Sequence, residues 1–378
     1  MILRCLHLGF FLAALLFQSL AIAEAPKAWG YVGWWLPDGW RSVPLGEIDR
    51  LLFIEIKVDS GGKISERNGW PEDWTDLRRA VEQHKTPLDL TLTLEDPATF
   101  DNLFSSVDAT QRLLDEATSL ASQNGVAGLQ LDIEIYSLAR PEAIKRYQSF
   151  VHELAKRLHQ YSPARNLSIF FPIGGESQLY DATTLQQLDQ VVLQGYDAHW
   201  PNSKTAGPVA PLTGDEAISW KKAVILGTAL GIPKERLLLG FPLFGYEWQV
   251  KGSKLHGATV GKGVSTTFGP VAPGLLPEMQ FNVQDRVEQY GASHDPLTGS
   301  SYYQFKREDG QFIEGWFEDW WSLRRKSDYL ADEKLGGIAF FLLGYDGGQL
   351  VDYFLKRRGP RSREDVANRV RKILDAAP

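Results

Sequence analysis

The chain has 378 residues, 47 acidic and 40 basic, giving a net charge of −7. That balance argues against a nucleic-acid partner, which calls for a basic face or stripe. The single cysteine, Cys5, excludes a disulfide framework and a cysteine-based metal site. The length suits one large domain or a domain carrying an insertion.

Residues 1–23 combine one early basic side chain, Arg4, an apolar run from Leu6 to Leu20, and the small-residue end Ala21-Ile22-Ala23. This is the layout of a secretory signal peptide cut after Ala23. An uncleaved membrane anchor is the alternative, disfavoured because a spanning helix wants about 20 apolar residues. Cleavage would leave residues 24–378, with no cysteine and a net charge of −8 once Arg4 is gone. The expectation is an exported monomer of a bacterial periplasm or exterior, with no membrane contact after cleavage. Twelve Trp are many for one chain. Exported proteins often stack Trp faces on sugar rings, although any single Trp is by default a packing residue.

Along the rest of the chain, short apolar runs alternate with longer segments of helical periodicity, which predicts a parallel sheet with crossover helices. The runs beginning at Trp29, Leu51, Leu88, Ala127, Leu167, Val191, Leu237 and Gly336 read as eight strands. Eight such strands predict an α/β fold of the closed (β/α)8 TIM-barrel kind. After the fourth, Ala143, Ile144, Tyr147, Phe150, Val151, Leu154 and Leu158 form one apolar helical stripe. The seventh strand, ending near Phe244, and the eighth are separated by far more chain than one helix needs. A small α+β insertion is expected there, about residues 249–320, with a strand at Ser301–Lys306, a hairpin signal at Asp309-Gly310 and then a helix from Ser322 to Leu330. A peripheral helix is expected from Arg363 to Leu374. The barrel domain as a whole is expected to occupy 24–378.

In such a barrel, catalytic side chains come from the C-terminal ends of several strands. The fourth strand reads Ala127-Gly128-Leu129-Gln130-Leu131-Asp132-Ile133-Glu134. Strand alternation puts Gly128, Gln130, Asp132 and Glu134 on one face and Leu129, Leu131 and Ile133 on the other. The apolar face suits the helix layer, so the carboxylates and the amide face the barrel mouth. Two acids about 7 Å apart along a strand hold their titrations apart, leaving one protonated near neutral pH, as a general acid requires. A bare Asp-x-Glu is also compatible with a buried polar cluster that has no chemistry. The six histidines beyond residue 23 have no paired spacing for a zinc site, and neither a Gly-rich phosphate loop nor a Gly-x-Ser-x-Gly elbow is present. No metal and no cofactor are expected.

The fourth strand resembles the Asp-Gly-x-Asp-x-Asp-x-Glu signature of family-18 glycoside hydrolases: Gly128, Asp132 and Glu134 match, while Ala127 and Gln130 replace two aspartates. Gly30-Tyr31 with Trp34 is similar to the family's first strand, Gly195-Tyr196-Asp197 to the Tyr-Asp end of its sixth, Gly240 to Tyr246 to its seventh, and Gly336 to Phe341 to its eighth. Five motifs in order span most of residues 28–350. The segments Tyr196 to Trp200 and Gly245 to Trp248 look closest to the bacterial peptidoglycan and spore-cortex branch.

The resemblance implies a retaining glycosidase acting on β-linked glycans that contain N-acetylglucosamine, such as chitin oligosaccharides or peptidoglycan. It has no enzyme nucleophile, because the sugar's 2-acetamido group attacks its own anomeric carbon. It assigns acid-base work to Glu134, stabilisation of the oxazolinium to Asp132, and the hold on the acetamido carbonyl to Tyr196. Substrate contacts are expected from Tyr31, Trp34, Glu55, Gln130, Asp197, Tyr246 and Phe341. Gln130 stands where many members have an aspartate and is expected to donate a hydrogen bond to Asp132. Phe341 stands where Trp is usual, which weakens stacking. Glu55, where an aromatic is usual, is either a substrate contact or an internal ion pair. A glycan-binding protein without turnover, and a hydrolase of another acetylated exopolysaccharide, are the alternatives.

Overall fold

The computed structural model describes residues 25–359, apart from 136, 174–177, 272–275, 277–278 and 280. The expected signal peptide and the helix expected at Arg363–Leu374 lie outside the described residues.

Eight parallel strands close into a barrel: β1 (Lys27–Gly33), β2 (Arg50–Val58), β4 (Leu88–Leu94), β5 (Gly128–Ile133), β6 (Asn166–Phe171), β7 (Gln190–Leu193), β8 (Leu237–Pro242) and β14 (Gly337–Phe341). The short β3 (Ile64–Glu66) pairs antiparallel with the end of β2. Closure is direct, since β1 pairs with β14 on one side and with β2 on the other. This is the (β/α)8 architecture that the alternating apolar runs predict.

The helices between strands are α1 (Thr75–His84), α2 (Pro97–Ser105), α3 (Val107–Ala121), α4 (Pro141–His159), α5 (Ala182–Gln186) and α6 (Trp220–Ala229). Helix α4 buries Ala143, Tyr147, Phe150, Val151, Leu154 and Leu158, the expected stripe, with Ala155 added and Ile144 at its margin. Pro141 at its start costs no hydrogen bond, and Lys156, Arg157 and His159 in its last turn complement the helix dipole.

The base of the barrel is plugged by ions rather than by apolar side chains alone. Asp89, fully buried, pairs with Arg50 and accepts from Asn166 Nδ2 at 2.6 Å. Gly128 is tied to the same layer, because a Cβ there would lie 2.4 Å from the Asn166 carbonyl oxygen. The glycine of the fourth-strand motif is therefore a packing requirement of the barrel.

A second, five-stranded antiparallel sheet lies between β8 and β14. Its strands are β9 (Phe244–Val250), β10 (Val264–Thr267), β11 (Ser293–Asp295), β12 (Ser300–Lys306) and β13 (Phe312–Phe317), in the order β10-β9-β13-β12-β11. It is joined by α7 (Val283–Tyr290) and followed by α8 (Trp320–Glu333); α9 (Gln349–Arg357) comes after β14. The sheet starts at Phe244, ahead of residue 249. Leu243 makes the switch: its N–H donates to the Phe341 carbonyl in the barrel, and its carbonyl accepts from Phe268 N–H beside the second sheet. Helix α8 starts at Trp320, two residues before Ser322, because Asp319 and Ser322 form a reciprocal capping box. Behind the sheet, the fully buried Lys326 of α8 pairs with Glu318 at 2.6 Å, and Ser300 Oγ donates to the same carboxylate at 2.7 Å. The insertion is thus bolted to the barrel's own helix layer.

Candidate active site

At the C-terminal end of the barrel strands lies a cleft of about 410 Å3. Eight of the ten residues singled out in the sequence line it: Tyr31, Glu55, Asp132, Glu134, Tyr196, Asp197, Tyr246 and Phe341. They come from β1, β2, β5, the end of β7, β9 and β14, so the cleft exists only when the barrel is closed.

Phe341 forms an aromatic floor. Its ring centroid lies 5.4 Å from Tyr31, 5.9 Å from Tyr196, 6.3 Å from Phe244 and 6.4 Å from Trp35. Tilted and edge contacts of this kind hold rings in place. Tyr196 is wedged against Gly240, where a Cβ would lie 2.7 Å from its Cε1. Gly240→Ala should therefore force the Tyr196 ring out of position, at a cost of about 1–3 kcal/mol. We expect a lowered urea midpoint together with a loss of catalytic rate; a variant with wild-type rate would show that the Tyr196 position is not critical.

Asp132 is nine-tenths buried, and its Oδ1 has no hydrogen-bond partner among the described residues. Burial, then the charges of Glu134, Glu95 and Glu55, raise its carboxyl well above the ordinary range. Glu134 is the next inward residue and is partly exposed to the cleft. Its backbone N–H continues the β4 pairing by donating to Leu94 O at 2.9 Å. Burial also pushes the Tyr196 and Tyr31 phenols up, so both remain protonated. The described lining residues include five carboxylates and neither Lys nor Arg.

Glu55 combines a place in the cleft wall with an ion pair. It lines the cleft, accepts from Thr93 Oγ1 at 2.9 Å and pairs with Lys57 at 3.1 Å. Asp197 has a left-handed backbone, φ 62°, and accepts from Tyr246 Oη at 2.8 Å, which ties the barrel to the second sheet. Burial raises the Asp197 carboxyl to about 6, opposed by the Tyr246 bond. An acid whose folded value is raised stabilises the fold below its unfolded value and loses that contribution as pH climbs through about 6. Asp197→Asn retains the acceptor, so its urea midpoint should gain on wild type between pH 4 and pH 7. A difference independent of pH would contradict the assignment.

The other two lie elsewhere. Trp34 is 41% exposed and stands outside the cleft lining. β1 ends at Gly33, where Leu36 N–H donates to Gly33 O, and alternation from Tyr31 puts Trp34 on the face away from the cleft. Trp35 takes the place in the wall, and its Nε1 donates to Tyr345 Oη at 2.9 Å. Gln130 is fully buried one layer below the cleft, where Thr91 Oγ1 approaches its Oε1 at 3.4 Å. The expected amide bond to Asp132 is not made: neither Gln130 Nε2 nor Asp132 Oδ1 has a partner among the described residues.

Sequence reasoning missed Thr93, Glu95 and Gln194 in the lining. The first two continue the inward parity of β4 as Thr91-x-Thr93-x-Glu95, a signal open to the reasoning applied to β5. Gln194 Oε1 accepts from Ile173 N–H at 2.8 Å.

The sequence model of the glycosyl hydrolases family 18 matches residues 27–346. The chain belongs to this family. Among curated family relatives, it is 25% identical over 264 residues to mouse (Mus musculus) chitotriosidase-1, covering 65% of this chain and 55% of that protein. It is 22% identical over 283 residues to the cortical fragment-lytic enzyme of Bacillus subtilis, covering 71% and 60%. The chain thus spans little more than half the length of these relatives. Among solved structures, the family-18 chitinase of Cycas revoluta in complex with (GlcNAc)3 superposes with a TM-score of 0.73 at 19% identity, covering 88% of this chain and 99% of that one. At that identity the likeness establishes the fold.

Proposed function

We propose that the protein is a retaining glycosidase that cleaves a β-linked glycan at an N-acetylglucosamine unit, with the sugar's own acetamido group as nucleophile. The observation that carries this reading is the convergence of Asp132, Glu134 and Tyr196 on one aromatic-floored cleft. Support for the sugar comes from the similar proteins: a chitotriosidase, a cortical fragment-lytic enzyme, and a chitinase structure holding (GlcNAc)3.

Glu134 gives its proton to the glycosidic oxygen while the acetamido oxygen attacks the anomeric carbon, and the leaving sugar departs as an alcohol. Tyr196, kept protonated by burial, donates to the acetamido carbonyl and aligns it. The acetamido N–H donates to the Asp132 carboxylate. That bond favours ionised Asp132, and the reaction uses the proton on Glu134. Asp132 then offsets the positive charge of the oxazolinium. Glu134, now a carboxylate, takes a proton from the water that opens the ring, and the configuration is retained.

Chitin oligosaccharides, peptidoglycan strands and de-N-acetylated controls, incubated with purified protein, test this reading. Cleavage confined to acetylated substrates, with inhibition by a thiazoline mimic of the oxazolinium, is expected. Hydrolysis of the de-N-acetylated chains, or indifference to the thiazoline, would contradict acetamido participation. The reading includes export, on the pattern of residues 1–23; N-terminal sequencing of exported protein should begin at Glu24.

A further inference from the structure

The opposite face of the barrel carries the reverse charge. There a cavity of about 520 Å3 is formed by α1, the turn ahead of β4 and the segments entering β5 and β6. Arg78, Arg79, Lys85 and Arg165 line it against one carboxylate, Glu82, on a chain whose net charge is −7. Arg79 is shared with Asp76 at 3.5 Å. Among the described residues, Arg78, Lys85 and Arg165 have no carboxylate partner.

Two of these cations are held in place. Arg78 lies over the Trp70 ring at 5.9 Å and donates through Nη2 to the Asn124 carbonyl at 3.3 Å. Arg165 lies over Tyr161 at 5.7 Å. The Nε of each guanidinium is buried with no hydrogen-bond partner among the described residues. A guanidinium already ordered by an aromatic ring loses little entropy when an oxyanion reaches its outer nitrogens.

We propose that this cavity binds a phosphate group. Guanidiniums match phosphate oxygens in pairs. A phosphate also brings up to two negative charges and three acceptor oxygens to a site with a net excess of cations, where a carboxylate brings one charge. The ligand is either free phosphate or phosphate displayed on a lipid surface. In the second case the barrel is held by its base, and the acidic cleft at the other end faces outward.

Calorimetric titration of the purified protein with inorganic pyrophosphate at low ionic strength tests the proposal. One-site saturable heat is expected, weakened about tenfold or more by Arg78→Gln with Arg165→Gln. Lys356→Gln, in an exposed pair on α9, should leave it unchanged. Should the double variant fail to fold, Lys85→Gln is expected to weaken binding by about threefold. Sedimentation with phosphatidylglycerol or phosphatidylcholine vesicles distinguishes the sources: capture by the anionic vesicles alone, lost in the variants, assigns the phosphate to lipid, and pyrophosphate binding without capture assigns it to a soluble form. The proposal is overturned if neither probe binds, or if both bind the variants as well as wild type.

Discussion

Glu134→Gln is expected to abolish hydrolysis of acetylated oligosaccharides while their binding persists. The substitution keeps the size and hydrogen-bonding reach of the side chain and removes the proton that the leaving oxygen needs. General acid-base catalysis is worth about 10²–10⁴ in rate, and Glu134 is used twice, once as acid and once as base. The acid role can be isolated in single-turnover cleavage of a phenolic glycoside, whose leaving group departs without protonation. The loss there should be much smaller than for a sugar leaving group. Wild-type turnover by a clean preparation of the variant would remove Glu134 from the chemistry. Calorimetry with the intact oligosaccharide shows whether the binding cleft survives the change.

The second large effect is expected at Asp132. Asp132→Asn leaves an acceptor for the acetamido N–H and removes the negative charge that faces the oxazolinium. Preorganised electrostatic partners of this kind are typically worth about 10²–10³ in kcat, and that loss should appear in kcat with little change in KM, because the charge matters only once the cation forms. The variant should also bind the thiazoline mimic more weakly than wild type while binding the neutral substrate about as well. Equal losses in kcat and in substrate affinity would point instead to a purely structural role. The pH profile supplies a further readout. Asp132 holds its proton above the ordinary carboxyl range because it is buried and faces Glu134, Glu95 and Glu55. With that group neutral in the variant, the limb of the profile that reflects its titration should disappear.

The barrel was readable because its strands are short apolar runs buried on both sides, and seven of the eight begin within one residue of the expected start. Parity was enough to give the two faces of β5, since they are defined by residues of opposite character. At the end of β1 the same alternation, carried from Tyr31 through Gly33, gives the cleft side to Trp35, as observed, whereas Trp34 comes from the family resemblance, which leaves the face open. Gln130 shows another limit: parity gives the face of a strand and leaves depth along the barrel axis unstated, so an inward residue can lie below the cleft floor. Tyr345, which lines the cleft and accepts from Trp35 Nε1, comes from the turns after β14 and belongs to no periodic pattern. The Asp197–Tyr246 bond joins two sheets through residues far apart in the chain, a relation that spacing does not encode.

The pairing of β1 with β14 also governs how this chain must be made. Lys27 finds its partner at Gly337, so the strand that closes the barrel is synthesised after the whole second sheet. Until then β1 and β8 present unpaired edges, the condition that favours association between unfinished chains. Contacts of such long sequence separation are slow to form. Fragments that stop before residue 337 should therefore accumulate as aggregates, and release of a soluble product should wait on the last strand.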